Sequence, residues 1–426
     1  MNREHCVVIG AGIIGISSAY YLAKRGYQVT VIERGEIGNG ASFGSAGIIA
    51  VGHPTMPRPG LVSQTLKWMV DKTSPIQIKP RLSLELAKWL WQFRGACNAK
   101  HEAHCMDILS TLGLISKECF DSIVNEENID CDYRTEGWYE VYRTTNGMKQ
   151  GHADAQLLGK YNIDVDVLGG QEMRDSEPML KPGVVGAIHY VQSALADPQR
   201  FLVGLADAAV NKGVNLLTNT SVTSLKLRSG ECVGVVTKEQ GVIEADTVIL
   251  AAGVWSTQLA KSVGVNVPMQ AGKGYHRNVT CPELCLTNTC VLAESYTAAA
   301  PMSGYLRLSG TVELSGINHR LNSKRLEMLT QGASEFLEGM EQTEIISEWC
   351  GLRPCTPDGL PVIDWAPGVQ GLFLATGHAR MGFTLGPATG KLVSELILGD
   401  SPCVEPHALK ADRFRQSKRH RITAVH

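Results

Sequence analysis

The chain begins with a run of apolar positions that is interrupted mainly by glycines. Residues 6–9 show a short apolar strand pattern, residues 16–25 follow the 3.6-residue period of a helix, and residues 28–32 again suit a strand. Gly26 closes the helical pattern, as glycine often does at a helix end. The pattern predicts a strand–helix–strand unit, with Glu33 at the carboxyl end of the second strand.

Hydropathy alone would also favour a membrane span here, because residues 6–23 carry no charge. The glycines at 10, 12 and 15 indicate a dinucleotide-binding turn instead. Gly10 permits the tight turn, Gly12 lets the backbone approach a pyrophosphate, and Gly15 lets the helix lie close to the strand. Glu33 suits a ribose and disfavours a 2′-phosphate, so the unit predicts FAD or NAD rather than NADP.

Small residues dominate the segment after Glu33, where an NAD-binding domain would normally continue into another helix. Residues 34–49 are rich in Gly, Ser and Ala, which suits a chain pressed against an extended cofactor, and Ser42 and Ser45 can hydrogen-bond phosphate oxygens. A second strand pattern, at 247–250, runs into small residues that include Ala252 and Gly253. These two segments favour FAD over NAD.

The remaining pattern predicts a mixed α/β chain (with α+β elements). A helix is expected from about residue 198, helices over 82–125, and strands near 137–143 and 290–316. Because 426 residues exceed the usual size of a single core, we predict two interleaved domains. They are a Rossmann-like FAD-binding domain and an antiparallel-sheet substrate domain, over 1–80, 192–262 and 345–426 for the first and 81–191 and 263–344 for the second.

Charge and cysteine content narrow the class of protein. The net charge of −2 and scattered basic residues argue against a nucleic-acid partner, and the basic cluster at 418–421 suits a solvated tail. The twelve cysteines lack metal-binding spacing, so no metal site is expected. No secretory leader is recognised, which favours reduced thiols and a cytoplasmic location.

Five motifs together resemble a known family. They are "VVIGAGIIG" with "VIE", "GASFGSAGII", "KGY" at 273–275, "GLRPCTPDGLPVI" at 351–363 and "ATGHARMGFTLGPATG" at 375–390. The chain resembles the FAD-dependent amine and amino-acid oxidoreductases that include D-amino acid oxidase, glycine oxidase and sarcosine oxidase. Within them it is most similar to small-subunit bacterial D-amino acid dehydrogenases.

The resemblance implies a substrate pocket in the second half of the chain. Arg353 is expected to grip the substrate carboxylate, although pairing with Asp358 or another carboxylate is the alternative. Arg380 matches a glycine oxidase pattern and departs from typical D-amino acid dehydrogenases. Tyr296 matches a tyrosine that touches the carboxylate, with simple packing as its alternative, and His53 is a further candidate.

The resemblance also implies how FAD is held. The glycines of 375–390 are expected to let backbone approach the flavin, and a helix starting near residue 383 would direct its positive end toward the reduced ring. Cys350 lies near, but not in register with, the cysteine that attaches flavin in sarcosine oxidases, so noncovalent FAD is expected. The full expected cofactor set is Gly10, Gly12, Ile13, Ile14, Gly15, Glu33, Arg34, Ala41, Ser42, Ser45, Ala46, Gly47, Ile48, Val222, Ala252, Gly253, Gly382, Phe383 and Thr384.

The implied reaction is oxidation of an amino acid at Cα by hydride transfer to flavin N5, without a compulsory protein base. The substrate is expected to be a D-amino acid, with a D-imino acid such as D-proline or cis-4-hydroxy-D-proline favoured. His378 is expected to pack or to bond within its loop rather than to act as a base. A glycine- or sarcosine-type oxidase using O2 is an alternative, and so is a noncatalytic FAD electron-relay subunit.

The electron acceptor is expected to be a quinone or an electron-transfer chain. Residues 66–94 mix tryptophans with basic residues, which suggests peripheral contact with the cytoplasmic membrane face. Helices that cover a core are the alternative for this segment.

Overall fold

The computed structural model describes residues 4–52, 56–62, 74–79 and 81–414. Its strands are β1 (His5–Ile9), β2 (Gln28–Ile32), β3 (Ile48–Ile49), β4 (Ile76–Ile78), β5 (Tyr139–Tyr142), β6 (Asp166–Gly169), β7 (Gly186–His189), β8 (Ala194–Leu195), β9 (Asn215–Leu217), β10 (Val222–Arg228), β11 (Glu231–Thr237), β12 (Gly241–Glu244), β13 (Thr247–Leu250), β14 (Gln270–Val279), β15 (Cys290–Leu292), β16 (Thr297–Met302), β17 (Tyr305–Leu314), β18 (Ile345–Cys355), β19 (Val362–Trp365) and β20 (Leu372–Thr376). Its helices are α1 (Ile13–Lys24), α2 (Leu84–Ala96), α3 (Ala99–Glu127), α4 (Thr145–Gly159), α5 (Gly170–Ser176), α6 (Pro198–Asn211), α7 (Ser256–Ser262), α8 (Ser323–Phe336) and α9 (Gly382–Leu398).

A six-stranded sheet in the described residues carries the predicted strand–helix–strand unit. Its order is β19-β20-β13-β1-β2-β9, and all neighbours are parallel except β19, which runs antiparallel to β20. β1 lies at the centre of this order, and its residues are almost entirely buried, as expected for a parallel strand covered on both faces. The carboxyl ends of β1, β2 and β13 therefore meet at one edge of the sheet.

A second, larger sheet forms the other half of the described structure. Its order is β18-β14-β17-β16-β15-β5-β7-β6, and β4 pairs with β17. Most pairs are antiparallel, but β15–β5 and β17–β4 are parallel. The helix α8 covers part of this sheet, where Leu329 and Phe336 are fully buried. The fold is thus mixed α/β, with parallel and antiparallel sheets, as predicted.

Two helices at opposite ends of the chain pack on one face of the six-stranded sheet. A Cβ atom at Gly390 of α9 would lie 2.4 Å from the carbonyl carbon of Ser17 in α1, and one at Gly386 would lie 2.4 Å from the Ile13 side chain. Only glycine allows the two backbones to approach this closely. The expectation that the glycines of 375–390 serve the cofactor is therefore wrong for these two positions.

The predicted domain limits can be compared with strand pairing. β4 and β18 fall in the segments that were assigned to the FAD-binding domain, yet both pair within the nine-stranded sheet. β18 pairs with β14 along its whole length and therefore forms an edge strand of the nine-stranded sheet. The division of the chain into two domains itself stays a prediction.

Residues 6–23 contain β1 and α1, which contact one another, so the hydropathy of this stretch reflects burial in the protein core. Across the described ranges, no helix combines the length and apolar character needed to cross a membrane. All twelve cysteines are free thiols.

Candidate functional site

The glycine motif builds the first wall of the site. Gly10 has φ 106°, and a Cβ there would lie 2.8 Å from the Ala251 carbonyl oxygen, while a Cβ at Gly15 would lie 1.9 Å from the Gly10 carbonyl oxygen. Both positions therefore require glycine. The motif brings the start of α1 against the carboxyl end of β1, as the spacing predicts.

The N-terminus of α1 lines this site through Ile13 and Ile14. The first helical N–H, of Ile13, donates to Ser42 Oγ at 3.0 Å, and the first turn contains no acidic residue. A Cβ at Gly12 would lie 3.3 Å from the same hydroxyl. A helix N-terminus without an acidic residue, with close backbone approach, suits a pyrophosphate, so these residues fit a dinucleotide.

Glu33 ends β2 beside the same turn. Its carboxylate accepts hydrogen bonds from the backbone N–H groups of Ala11 at 2.9 Å and Gly35 at 3.1 Å. These bonds fix the acid at the carboxyl edge of the sheet, where it can accept further bonds from ribose hydroxyls.

A single cavity of about 990 Å³ runs from this edge to the nine-stranded sheet. It is lined by most of the expected cofactor set, namely Gly10, Gly12, Ile13, Ile14, Glu33, Arg34, Ala41, Ser42, Ser45, Ala46, Ile48, Val222, Ala252, Gly253, Gly382, Phe383 and Thr384. Gly15 and Gly47 do not line it. Gly15 serves helix–strand packing, and a Cβ at Gly47 would lie 2.2 Å from the Ala196 carbonyl oxygen, so Gly47 permits close backbone contact instead.

The loop after Glu33 is held from the opposite sheet. Arg307 on β17 is buried and donates from Nη1 to the carbonyl oxygens of Phe43 at 3.0 Å and Ser45 at 2.8 Å. Sequence reasoning missed Arg307, because an arginine within a strand pattern gives no sign that it reaches a loop 262 residues earlier. It fixes the backbone that forms one wall of the cavity.

Trp349 lines another part of the cavity, with His276 stacked against it, and sequence reasoning missed both. Trp349 on β18 stacks on His276 of β14, with ring centroids 5.0 Å apart and planes 15° apart. The indole fits between Gly44 and Gly351, since a Cβ at either glycine would lie 1.9 Å from it. Burial, with a further contribution from Arg307, lowers the pKa of His276 to about 4. The ring is therefore neutral at physiological pH.

Arg353 and Arg380 line the same end of this cavity. An isolated antiparallel bridge joins Cys355 to His378, which links the two segments that carry the arginines, and the charge of Arg353 acts on Arg380. The structure thus brings together the two arginines that the sequence predicted.

The nine-stranded sheet holds the Arg353 side chain in a defined position. Its guanidinium lies over Gly274, where a Cβ would be 2.2 Å from Nη1, and Nη1 donates to the Thr311 carbonyl oxygen at 3.0 Å. Asp358, the alternative partner, instead forms an ion pair with Arg413 at 2.7 Å. Among the described residues no carboxylate lies within ion-pair distance of Arg353, and burial lowers its pKa. A carboxylate in the cavity would supply the missing charge.

Arg380 retains accessible surface and lines the cavity. The surrounding protein lowers its pKa to about 10, and the positive charges of Arg58 and Arg353 act in the same direction. Arg380 therefore stays protonated at neutral pH, and mutual repulsion with Arg353 favours an anion near both.

Tyr296, another predicted substrate residue, does not line the cavity. Tyr296 is 44% exposed, has φ 52° and lies in the turn between β15 and β16, outside the cavity lining. The turn directs its backbone toward Gly310, where a Cβ would meet the Tyr296 carbonyl oxygen at 2.4 Å. His53 lies outside the described residues.

The loop before α9 is used mainly for structure. His378 is buried and bonds through Nε2 to Thr389 Oγ1 at 2.9 Å, and burial lowers its pKa to about 3. The Thr384 hydroxyl donates to the Ile48 carbonyl oxygen at 3.1 Å, while Phe383 packs on Phe120. The side chains of Thr384 and Phe383 are thus already engaged, which leaves their backbone to face the cavity.

Solved structures with the same fold include several amino-acid oxidoreductases. Glycine oxidase from Geobacillus kaustophilus is 24% identical, with a TM-score of 0.78 and coverage of 97% of this chain and 99% of that one. L-proline dehydrogenase from P. horikoshii is 19% identical, with a TM-score of 0.77 and coverage of 97% and 98%. L-amino acid deaminase from Proteus myxofaciens is 18% identical, with a TM-score of 0.76 and coverage of 98% and 94%. At these identities the likeness establishes the fold.

The sequence also matches a family profile, described as FAD dependent oxidoreductase (DAO), over residues 5–396. That range contains the glycine motif, Glu33, the loop that Arg307 holds and both cavity arginines. The glycine-lined turn, the helix start and the ribose-facing acid fit the FAD that this family uses. The chain belongs to the DAO family of FAD-dependent oxidoreductases.

Proposed function

We propose that this enzyme oxidises a D-amino acid at Cα, with a D-imino acid such as D-proline or cis-4-hydroxy-D-proline as its favoured substrate. The observation that carries the proposal is the pair Arg353 and Arg380, which both line the cavity and lie close enough for the charge of one to act on the other. Guanidinium groups recognise a planar carboxylate through two parallel hydrogen bonds. The D configuration rests on the family resemblance of the motifs, and the second arginine, Arg380, favours the imino acid.

Arg353 anchors the substrate carboxylate in this scheme, and Arg380 faces the rest of the substrate. Trp349 and the glycines beside it form an apolar part of the cavity wall, and exclusion of water there would strengthen both charged contacts. FAD, when bound, supplies the acceptor for the hydride that leaves Cα. The residues of the chain bind, orient and exclude water.

No protein base is assigned. The substrate amine binds neutral, and its lone pair forms the C=N bond as the Cα hydrogen leaves with its electron pair. His276 and His378 are buried, and each already has a partner, Gly44 and Thr389 respectively. A primary imine then takes up water to give a 2-oxo acid and ammonia, whereas a cyclic substrate gives a pyrroline carboxylate.

The test is anaerobic mixing of the purified enzyme with D- and L-amino acids, D- and L-proline, hydroxyproline isomers, glycine and sarcosine, followed by flavin absorbance. We expect D-proline or cis-4-hydroxy-D-proline to bleach the flavin fastest. Bleaching only by L-amino acids would contradict the proposed stereochemistry. If every amino acid leaves the flavin oxidised, the noncatalytic electron-relay alternative is favoured.

We also propose a quinone or electron-transfer chain as acceptor, with peripheral contact at the cytoplasmic membrane face. Support comes from α2 and the residue before its cap, where Leu82, Leu84 and Trp91 are exposed beside Lys88 and Arg94. Apolar side chains next to cations suit an anionic membrane surface. Residues 63–73 and 80 of this region lie outside the described residues. Repeating the assay in air separates this acceptor from O2, because an oxidase would reoxidise the flavin rapidly and form hydrogen peroxide.

A further inference from the structure

A loop from the nine-stranded sheet reaches the dinucleotide end of the cavity. It comprises residues 315–322, between β17 and α8, and its members His319 and Leu321 line the cavity together with Arg34 and Trp255. The family motifs and the predicted cofactor set do not include this loop. Its presence in the wall means that the cofactor is enclosed from both sheets.

Three side chains from separate segments form a stack at this point. The Arg34 guanidinium lies 3.8 Å from the centre of the Trp255 ring, and the Trp255 and His319 rings are 6.0 Å apart with planes 13° apart. Arg34 follows Glu33 at the end of β2, and Trp255 follows Gly253 after β13. Arg34 and His319 are exposed, so the stack stands at the mouth of the cavity.

A buried ion pair anchors the loop from the other side. Lys273 and Glu313 are 1% and 0% exposed, and Lys273 Nζ lies 3.3 Å from Glu313 Oε1. Nζ also donates to Asn318 Oδ1 and to the Arg320 carbonyl oxygen, both at 2.9 Å. Asn322 Nδ2 donates to Glu313 Oε2 at 3.0 Å. Contacts at every second residue, 318, 320 and 322, leave 319 and 321 to face the cavity.

Glu313 in this ion pair stays ionised at neutral pH. Burial raises the pKa of Glu313, but hydrogen bonds from Ser315, Asn322 and Lys79, with the attraction of Lys273, outweigh burial and hold the pKa at about 2. The Lys79 ammonium lies 3.0 Å from Glu313 Oε1 and adds a second cation. Separating a buried charge from its several partners costs free energy, so the ion pair holds the loop in one position.

We propose that the loop 315–322 closes the adenosine end of the FAD site, with His319 retaining the cofactor through its stack on Trp255 and Arg34, and with Lys273 and Glu313 as positioning residues. Glu33 marks the ribose position at the end of β2, and Arg34 is its neighbour in sequence. The stack therefore covers the adenosine half of the cofactor and not the ring that receives the hydride. This inference rests on FAD binding alone and is independent of the substrate.

The rate of FAD release from the holoenzyme tests it. The purified enzyme is diluted into FAD-free buffer, and the rise in flavin fluorescence is followed. We expect His319→Ala to release FAD about three- to tenfold faster, the range that loss of one aromatic contact produces. His319→Phe, which keeps a flat ring, should restore slow release. Ile317→Ala, on the same loop but outside the cavity wall, is the matched control and should match the wild type.

Release of FAD from His319→Ala at the wild-type rate would overturn the proposal, as would equal release from the Ala and Phe variants. Lys273→Met tests the anchor: it should speed both FAD release and trypsin cleavage after Arg320. The His319 pair decides the outcome even if Lys273→Met does not fold. In the full chain freed of FAD, ADP should slow cleavage after Arg320 and FMN should not. Protection by FMN but not by ADP would place the loop at the wrong end of the cofactor.

Discussion

Arg353 shows how a sheet can hold a charged group ready for a ligand. Its neighbour on β14, Gly274, leaves the space that the guanidinium occupies, and the Thr311 carbonyl oxygen accepts one of its hydrogen bonds. The remaining N–H groups of the fork can face the cavity. The central residue of the "KGY" motif, Gly274, thus leaves space for the guanidinium of Arg353, which lies 79 positions later in the chain.

Removal of that guanidinium should weaken substrate binding selectively. We expect Arg353→Ala to raise KM by about 30- to 1,000-fold, equivalent to about 2–4 kcal/mol, because a charge-assisted bidentate contact is lost. The ratio of flavin to protein absorbance should stay that of the wild type. Arg228→Ala, at an exposed arginine, is the control. An unchanged KM with loss of FAD would contradict the assignment.

Filling the space at Gly274 should also weaken substrate binding, without removing any charge. In Gly274→Ala the new Cβ would lie 2.2 Å from Arg353 Nη1, so the guanidinium must move. We expect KM to rise at least about tenfold, since a displacement of about 1 Å in a positioning group can cost a hundredfold in rate. Gly159→Ala, with nothing near its Cβ, should leave KM unchanged. A wild-type KM for Gly274→Ala would show that substrate binding does not need the space at Gly274.

The sequence predicts some site residues better than others for a simple reason. Gly10, Gly12 and Glu33 lie within one short unit, so their spacing alone fixes their relative position. Trp349, Arg307 and His319 act through contacts with segments that are distant in the sequence, and nothing in their local pattern marks them. Tyr296 was predicted by resemblance, but a turn carries it away from the cavity wall.

At the scale of elements, α9 does two jobs with one glycine-rich sequence. Its first residues face the cavity, while Gly386 and Gly390 let it lie against α1. Sequence reasoning assigned all these glycines to the cofactor, because glycines that permit a close helix contact and glycines that permit a close ligand contact look the same in a sequence. The atoms that surround each glycine distinguish the two cases, and only the folded structure shows those atoms.

Helix packing should therefore depend on Gly390. Gly390→Ala places a Cβ 2.4 Å from the Ser17 carbonyl carbon, and we expect the free energy of unfolding to fall by about 1–3 kcal/mol. Gly95→Ala, in the exposed part of α2 with open space around it, is the matched control and should gain up to about 1 kcal/mol. Urea unfolding measures both. A neutral Gly390→Ala would mean that α1 and α9 can separate without cost.

At the scale of the whole molecule, two neutral histidines lie beside the cavity, His276 on the nine-stranded sheet and His378 next to α9. Burial lowers their pKa values to about 4 and about 3. In the unfolded chain a histidine has its ordinary pKa of about 6.5. Between these values only the unfolded chain binds the proton, so stability falls as the pH drops below about 6.5.

Replacement of His378 should flatten this dependence. At pH 5 one such histidine costs about 2 kcal/mol relative to pH 7 or above, from about 1.4 kcal/mol per pH unit. We expect His378→Gln to lose less stability than the wild type between pH 7 and pH 5. Thermal midpoints at matched pH values test this. Parallel pH profiles for the two proteins would show that His378 does not titrate on unfolding.

Cofactor retention is also a property of the whole molecule, because both sheets enclose the cavity. Burial raises the pKa of Cys350, the cysteine nearest in sequence to the attachment position of sarcosine oxidases, and so disfavours its thiolate. We expect acid precipitation to leave the yellow colour in the supernatant. A yellow pellet would demonstrate a covalent bond.

The cavity wall has a consequence for synthesis of the protein on the ribosome. Its first segment, Ile9 to Gly12, is made at once, but its last, Arg380 to Thr384, follows more than 360 residues later. At about 5–20 residues per second this interval is roughly 20–75 s. β1 lacks its neighbour β13 for the first part of that interval, and α1 lacks α9, the helix that packs against it, for all of it. A nascent chain should therefore depend on chaperones to shield this apolar strand, and capture of FAD should follow translation rather than accompany it.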